Sequence, residues 1–245
     1  MRDFELAKQL ISNLDLTSLN KDDTDDTVSN LCHKALNSVV PPATVCIWSK
    51  FVPLATKILK KSNISVATVV NFPRGETDIK MTTAEIVKAL SLGADEIDAV
   101  FPYEAFLSGD TDICRQYLDA ITQETSGSTL KIILESGAFP HIRQLQEACR
   151  LCLEYNIQFL KTSTGKIDIS ATPEAANAIL ETIKESKREV GFKASGGIKT
   201  FEQARQYFSL AQTIMGTKWP LDQRYFRIGA SSLLDDLNET IKKGC

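Results

Sequence analysis

Short apolar runs alternate along the whole chain with stretches whose apolar residues recur at helical spacing. The runs are Leu14–Leu19, Thr44–Trp48, Ser65–Phe72, Glu96–Phe101, Leu130–Glu135, Gln158–Thr164, Glu189–Ser195 and Phe226–Gly229. Between them lie "DDTVSNLCHKAL", "PLATKILKK", "TTAEIVKALSLG", "DICRQYLDAITQ", "HIRQLQEACRLCLEY", "PEAANAILETIKE" and "FEQARQYFSLAQ", and "SSLLDDLNETIKK" closes the chain. Punctuation agrees with this partition. Asp22 is placed to cap the first helix, Thr172-Pro173-Glu174 reads as a cap, a first-position proline and an acidic first turn, and "LGADEID" ends a helix at glycine before a strand. Regular alternation of strand and helix implies parallel strands with crossover helices. Eight such units predict an α/β fold, a (β/α)8 or TIM barrel, with residues 1–245 as a single catalytic domain. An open doubly wound sheet is disfavoured because no G-x-G-x-x-G follows the first strand.

In this fold, function gathers at the C-terminal ends of the strands. Three charges there break the apolar pattern: Asp98 in "DEIDAVF", Lys161 in "FLKTS" and Lys193 in "GFKAS". Neighbouring strand residues face opposite ways. If Ile97, Ala99, Leu160, Thr162, Phe192 and Ala194 pack on the helices, Asp98, Lys161 and Lys193 point into the barrel. Buried charges are costly unless paired or functional. Two strand lysines with one aspartate suit Schiff-base chemistry: burial and a neighbouring ammonium both favour a neutral, nucleophilic amine, and a carboxylate can move protons. Parity does not say which lysine attacks.

"STGK" within "QFLKTSTGK" looks like part of a P-loop, but Leu160 and Ile167 stand where that motif needs glycine and Ser or Thr. It reads instead as the first of three small turns after the last three strands: Thr164–Lys166, Ser195–Lys199 and Gly229–Ser232. Glycines let backbone N–H groups approach an anion, a helix start at Ser231 and Ser232 favours phosphate, and Lys166 and Lys199 add positive charge.

Bulk properties narrow the classes. Of 245 residues, 43% are hydrophobic, ample for one large core, and the net charge of −3 offers no basic field for nucleic acid. No apolar run approaches a membrane span or a signal-peptide core, so no membrane association and a cytoplasmic location are expected. Six cysteines are too few for a disulfide scaffold, and the C-x-x-C of Cys149 and Cys152 lies in a helical pattern without a partner motif. With only His33 and His141, neither a metal site nor a Ser-His-Asp triad is expected, and no cofactor.

From "LDLTSLN" through "ATVVNFPRG", "GADEIDAVFPY", "KIILESG", "FLKTSTGK" and "GFKASGGIK" to "RIGASSLL", the chain closely resembles the class I deoxyribose-phosphate aldolases. The resemblance implies reversible cleavage of 2-deoxy-D-ribose 5-phosphate to D-glyceraldehyde 3-phosphate and acetaldehyde. It assigns the Schiff base to Lys161, the lowering of that amine's pKa to Lys193 and proton transfer to Asp98. Phosphate contacts fall on Gly165, Lys166, Gly196, Gly197, Gly229, Ser231 and Ser232. Asp15, Thr17, Cys46 and Thr164 fall near the substrate, with Lys131 and Glu135 one layer further out. The expected partners are a phosphorylated sugar and aldehydes, and dimers are common among similar proteins, which makes a homodimer the oligomeric expectation. Two departures stand out. Lys199 occupies a place where many relatives have arginine, giving a point charge instead of a bidentate fork. The sequence ends at "IKKGC", where some relatives continue to a tyrosine that reaches the site, so proton transfer at the enamine carbon is expected to rest on Asp98 and water. Competing readings are another sugar-phosphate barrel enzyme, such as an isomerase or epimerase, and a non-catalytic sugar-phosphate binder. Neither requires Lys161 and Lys193 together.

Overall fold

The computed structural model describes residues 1–244. Eight strands, β1 (Leu14–Thr17), β2 (Thr44–Ile47), β3 (Ser65–Val70), β4 (Glu96–Val100), β5 (Thr129–Ile133), β6 (Phe159–Lys161), β7 (Gly191–Ser195) and β8 (Phe226–Ala230), pair in parallel and in chain order. Pairing of β1 with β8 closes the ring, so no strand edge is left open. The expected (β/α)8 barrel is the observed one.

Ten α-helices surround it among the described residues: α1 (Asp3–Ser12), α2 (Asp25–Leu36), α3 (Val52–Leu59), α4 (Ile79–Ser91), α5 (Tyr103–Leu107), α6 (Thr111–Glu124), α7 (Ile142–Leu153), α8 (Pro173–Ser186), α9 (Phe201–Met215) and α10 (Leu233–Gly244). Two of these exceed the simple alternation. The short α5 follows β4, and α1 precedes β1, burying Leu6, Ala7, Leu10 and Ile11 and packing mainly on α10. Its buried residues recur at helical spacing, and Asp3, Glu5 and Lys8 lie off that stripe.

The cap of α2 is Thr24, not Asp22. The Thr24 hydroxyl accepts from Thr27 N, whereas Asp22 is exposed outside the helix. Asp23 takes the loop before it, accepting from Ser18 Oγ and from Asn20 N. Thr172 caps α8 as its sequence indicates, and Gly93 follows α4 with φ of 99°, a conformation open to glycine at little cost.

Strand parity divides the interior. Leu14, Leu16, Val45, Ile47, Ile97, Ala99, Leu130, Ile132, Leu160, Phe192, Ala194, Phe226 and Ile228 join the helices in one continuous apolar core. The alternate residues face inward. On the β2–β3 side they form a separate small apolar cluster of Cys46, Ala67 and Val69 with Leu19, flanked by Trp48 and Phe72. On each of the remaining strands they include a charged residue. Cys149 and Cys152 lie buried on α7, where burial raises both thiols far above the ordinary range. No helix among the described residues is long and apolar enough to cross a membrane.

Gly191 faces Phe159 across β6 and β7, and a Cβ there would lie 2.5 Å from the Phe159 ring and 2.8 Å from the Tyr225 carbonyl oxygen. Overpacking of this kind costs about 1–3 kcal/mol. Gly191→Ala is therefore expected to lower the unfolding free energy by that amount, read as a lower denaturant midpoint at an unchanged slope. An unchanged midpoint would mean that this layer has slack.

Candidate active site

The stagger of the barrel sets the height of each inward residue. Asp98 on β4 is in register with Lys131 on β5, but Lys131 pairs with Phe159 on β6, and Lys161 sits two residues further up. Lys161, Lys193 and Arg227 then lie side by side on β6, β7 and β8. Three adjacent cations would repel one another unless anions faced them. Asp15 from β1 and Asp98 from β4 supply those anions from across the barrel.

Lys193 Nζ donates to Asp15 at 2.5 Å and to Asp98 at 2.7 Å. Lys131 Nζ lies 2.7 Å from Asp98, 2.5 Å from Glu96 and 3.6 Å from Asp15. Arg227 donates to Asp15 at 2.7 Å, reaches Glu96 at 3.4 Å, and covers the Phe159 ring. Lys161 Nζ has a single carboxylate, Asp98 Oδ2, at 2.8 Å. The cluster thus holds three carboxylates (Asp15, Glu96, Asp98) against four basic groups (Lys131, Lys161, Lys193, Arg227). It balances when one basic group is neutral, and Lys161 is the least compensated.

Titration follows this inventory. Burial alone would neutralise every member. At Asp98 burial is outweighed by Lys131, Lys161 and Lys193, which hold its carboxyl well below the usual range. Asp15 is depressed against burial in the same way by Lys193, Lys131 and Arg227. Lys131 and Lys193 are raised, because their carboxylates outweigh desolvation. Lys161 alone among the four is lowered: burial dominates, Asp98 opposes it, and the Lys193 ammonium adds to the lowering.

Access separates the two strand lysines further. A cavity of about 180 Å³ opens at the C-terminal end of the barrel, and Lys161 lines it. Lys193, with no exposure, lies beneath, and the Gly229 backbone passes over its stem, where a Cβ would stand 3.0 Å from Cε. Thr17, Thr164, Gly165, Lys166, Gly196, Gly197, Lys199, Gly229 and Ser231 also border the cavity. Gly165, Gly196 and Gly197 take φ of 75°, 93° and 81°. Their N–H groups have no acceptor among the described residues, which leaves a ring of free donors suited to an anion. The exposed Lys166 spans the mouth, its ammonium donating to Leu19 O at 2.8 Å.

Three of the expected substrate and phosphate contacts lie off the cavity wall, as do Asp98 and Lys193 below it. Ser232 is exposed beside α10, Asp15 belongs to the charged layer below, and Cys46 is buried in the apolar cluster with a thiol raised first by burial. Lys131, expected one layer out, binds Asp98 directly. Sequence reasoning missed Arg227 and Glu96. Both carried the signal used for Asp98: Arg227 stands between Phe226 and Ile228, and Glu96 shares the parity of Asp98 on β4.

Comparison with known proteins identifies the family of the whole chain. Residues 9–238 match the model of the DeoC/LacD family of aldolases. A provisional deoxyribose-phosphate aldolase from Toxoplasma gondii ME49 superposes with a TM-score of 0.89 at 21% identity, covering 98% of this chain and 95% of that one. An aldolase named QR15 gives 0.82 at 26% identity, covering 96% and 97%. The tetrameric deoxyribose phosphate aldolase of Aeropyrum pernix gives 0.79 at 22% identity, covering 98% and 93%. With the family match spanning nearly the whole chain, this protein belongs to the DeoC/LacD family of aldolases.

Proposed function

We propose that this aldolase cleaves 2-deoxy-D-ribose 5-phosphate reversibly, with Lys161 as the covalent nucleophile. The observation that carries the assignment is the contrast between two neighbouring lysines. Lys161 lines the cavity with one carboxylate and a lowered pKa, whereas Lys193 is sealed below with two carboxylates and a raised one.

The neutral Lys161 amine attacks the aldehyde carbon of the open-chain sugar, and the carbinolamine loses water to give an imine. The C3 hydroxyl then loses its proton, and the C2–C3 bond breaks with its electrons flowing toward the imine. Glyceraldehyde 3-phosphate leaves and an enamine remains. Protonation at C2 and addition of water release acetaldehyde and the free amine, so the water lost is regained. Asp98 Oδ2 accepts from both Lys161 and Lys193, which gives protons a hydrogen-bonded route between the two nitrogens. The phosphate lies on the free amides of Gly165, Gly196 and Gly197, with Lys166, Lys199 and Ser231 at the rim. Thr17 lines the same cavity on the side of β1.

Purified protein is expected to convert 2-deoxyribose 5-phosphate to equal amounts of acetaldehyde and glyceraldehyde 3-phosphate. Lys161→Met is expected to lower kcat by on the order of 10³-fold or more while keeping cooperative thermal unfolding. Turnover by that variant at the rate of the parent protein would refute the role of Lys161.

A second expectation concerns pH. Protonated Lys161 cannot attack, so kcat/KM rises with pH through the amine's titration and levels off above it. Lys193→Met removes an ammonium that favours the neutral amine, and the acid limb therefore moves to higher pH. Each unit of that shift costs about tenfold in rate at pH values below both limbs. An acid limb that stays in place or moves down would show that Lys193 does not set the state of Lys161.

A further inference from the structure

Three carboxylates have no solvent exposure: Asp15, Asp98 and Glu135. The first two are held by cations, but Glu135 has no ion pair among the described residues. It stands just past β5 in the left-handed region, with φ of 56° and ψ of 57°. A non-glycine residue there costs about 1–3 kcal/mol and persists only when its surroundings fix it. Backbone bonds on both sides do so: Leu134 N donates to Lys161 O at 2.9 Å, and Ser136 N donates to Thr162 O at 2.8 Å.

This conformation turns the Glu135 carboxylate toward the loop after β6. It accepts from Thr164 N at 3.2 Å and from the Thr164 hydroxyl. Thr164 Oγ1 in turn accepts from Lys166 N at 3.0 Å. Two of the three amides in Thr164–Lys166 are therefore occupied inside the turn, and the Gly165 N–H is the one left over. A buried acceptor aimed at one loop residue is a costly feature unless that loop must hold a fixed shape.

We propose that Glu135 is the positioning residue of the phosphate turn, fixing Thr164 so that the Gly165 amide and Lys166 meet the phosphate of the substrate. This rests on reading the cavity as a sugar-phosphate site. Glu135 touches neither the reacting carbons nor the phosphate and acts through Thr164. Its effect therefore falls on phosphate binding and spares the chemical step. A glutamine of the same shape keeps an acceptor for Thr164 N and a polar partner for the Thr164 hydroxyl oxygen, so it is a fair substitute.

The test compares Glu135→Ala and Glu135→Gln with the parent protein, using 2-deoxyribose 5-phosphate, unphosphorylated 2-deoxyribose, and calorimetric titration with inorganic phosphate. Glu135→Ala is expected to raise KM for the phosphorylated sugar and Kd for phosphate by about tenfold, the scale of one lost hydrogen bond. Expected kcat stays within about twofold, with 2-deoxyribose cleavage unchanged, and Glu135→Gln recovers most of the loss. Equal losses with both sugars would overturn the proposal, as would an unchanged KM or a glutamine variant no better than alanine. If the parent protein cleaves neither sugar, the proposed reaction falls. The phosphate titration then decides the turn separately: weaker binding by Glu135→Ala upholds the latch, and equal affinity ends it.

Discussion

Four basic side chains and three carboxylates share a buried barrel interior, and much of the site depends on how that imbalance is resolved. Removing one partner of a buried ion pair typically costs about 3–5 kcal/mol, because the other charge is left stranded. Each member is thus fixed by its neighbours, and the surplus must go to the group with the fewest. Lys161 has only Asp98, lies nearest the cavity, and has Lys193 beside it. Burial, with Lys193 adding to it, therefore lowers the Lys161 pKa while the other three basic groups are raised. Charge balance, with Lys193 beside it, is what sets Lys161 apart from the other cations.

The barrel makes this arrangement affordable by dividing its labour around the ring. Charges come from β1, β4, β5, β6, β7 and β8, while β2 and β3 present Cys46, Ala67 and Val69 as an apolar wall. Above the charged layer, the loops after β6, β7 and β8 turn their glycines toward a common cavity. The charged layer and the glycine-lined cavity are stacked along one axis, with Lys161 at the boundary. Gly229 joins the two layers: it borders the cavity and leaves room for the Lys193 stem below.

The alternation of strand and helix was legible because each element has its own period. Asp98, Lys161 and Lys193 stood out because a charge between two apolar strand residues must face inward. Parity, however, reports a face and not a height. The stagger that lifts Lys161 two residues above Lys131 arises only on closing the barrel, so Lys131 looked peripheral although it holds Asp98. Arg227 and Glu96 were visible by the same rule, and their roles emerge only when β8 meets β1 and Asp15 comes within reach of both Lys193 and Arg227. Local errors had local causes. Asp22 and Thr24 are both good capping residues, and the choice rests on where the chain turns into α2. Ser232 sits in a plausible anion-binding turn, yet Ser231 is the one that borders the cavity.

The division between Lys161, whose pKa is lowered, and Lys193, whose pKa is raised, is tested most directly by covalent trapping. Incubating the protein with acetaldehyde and borohydride, followed by peptide mass mapping, reads which amine forms the imine. The charge balance predicts an ethyl adduct on Lys161 and none on Lys193. An adduct on Lys193, or no adduct on either lysine, would contradict it.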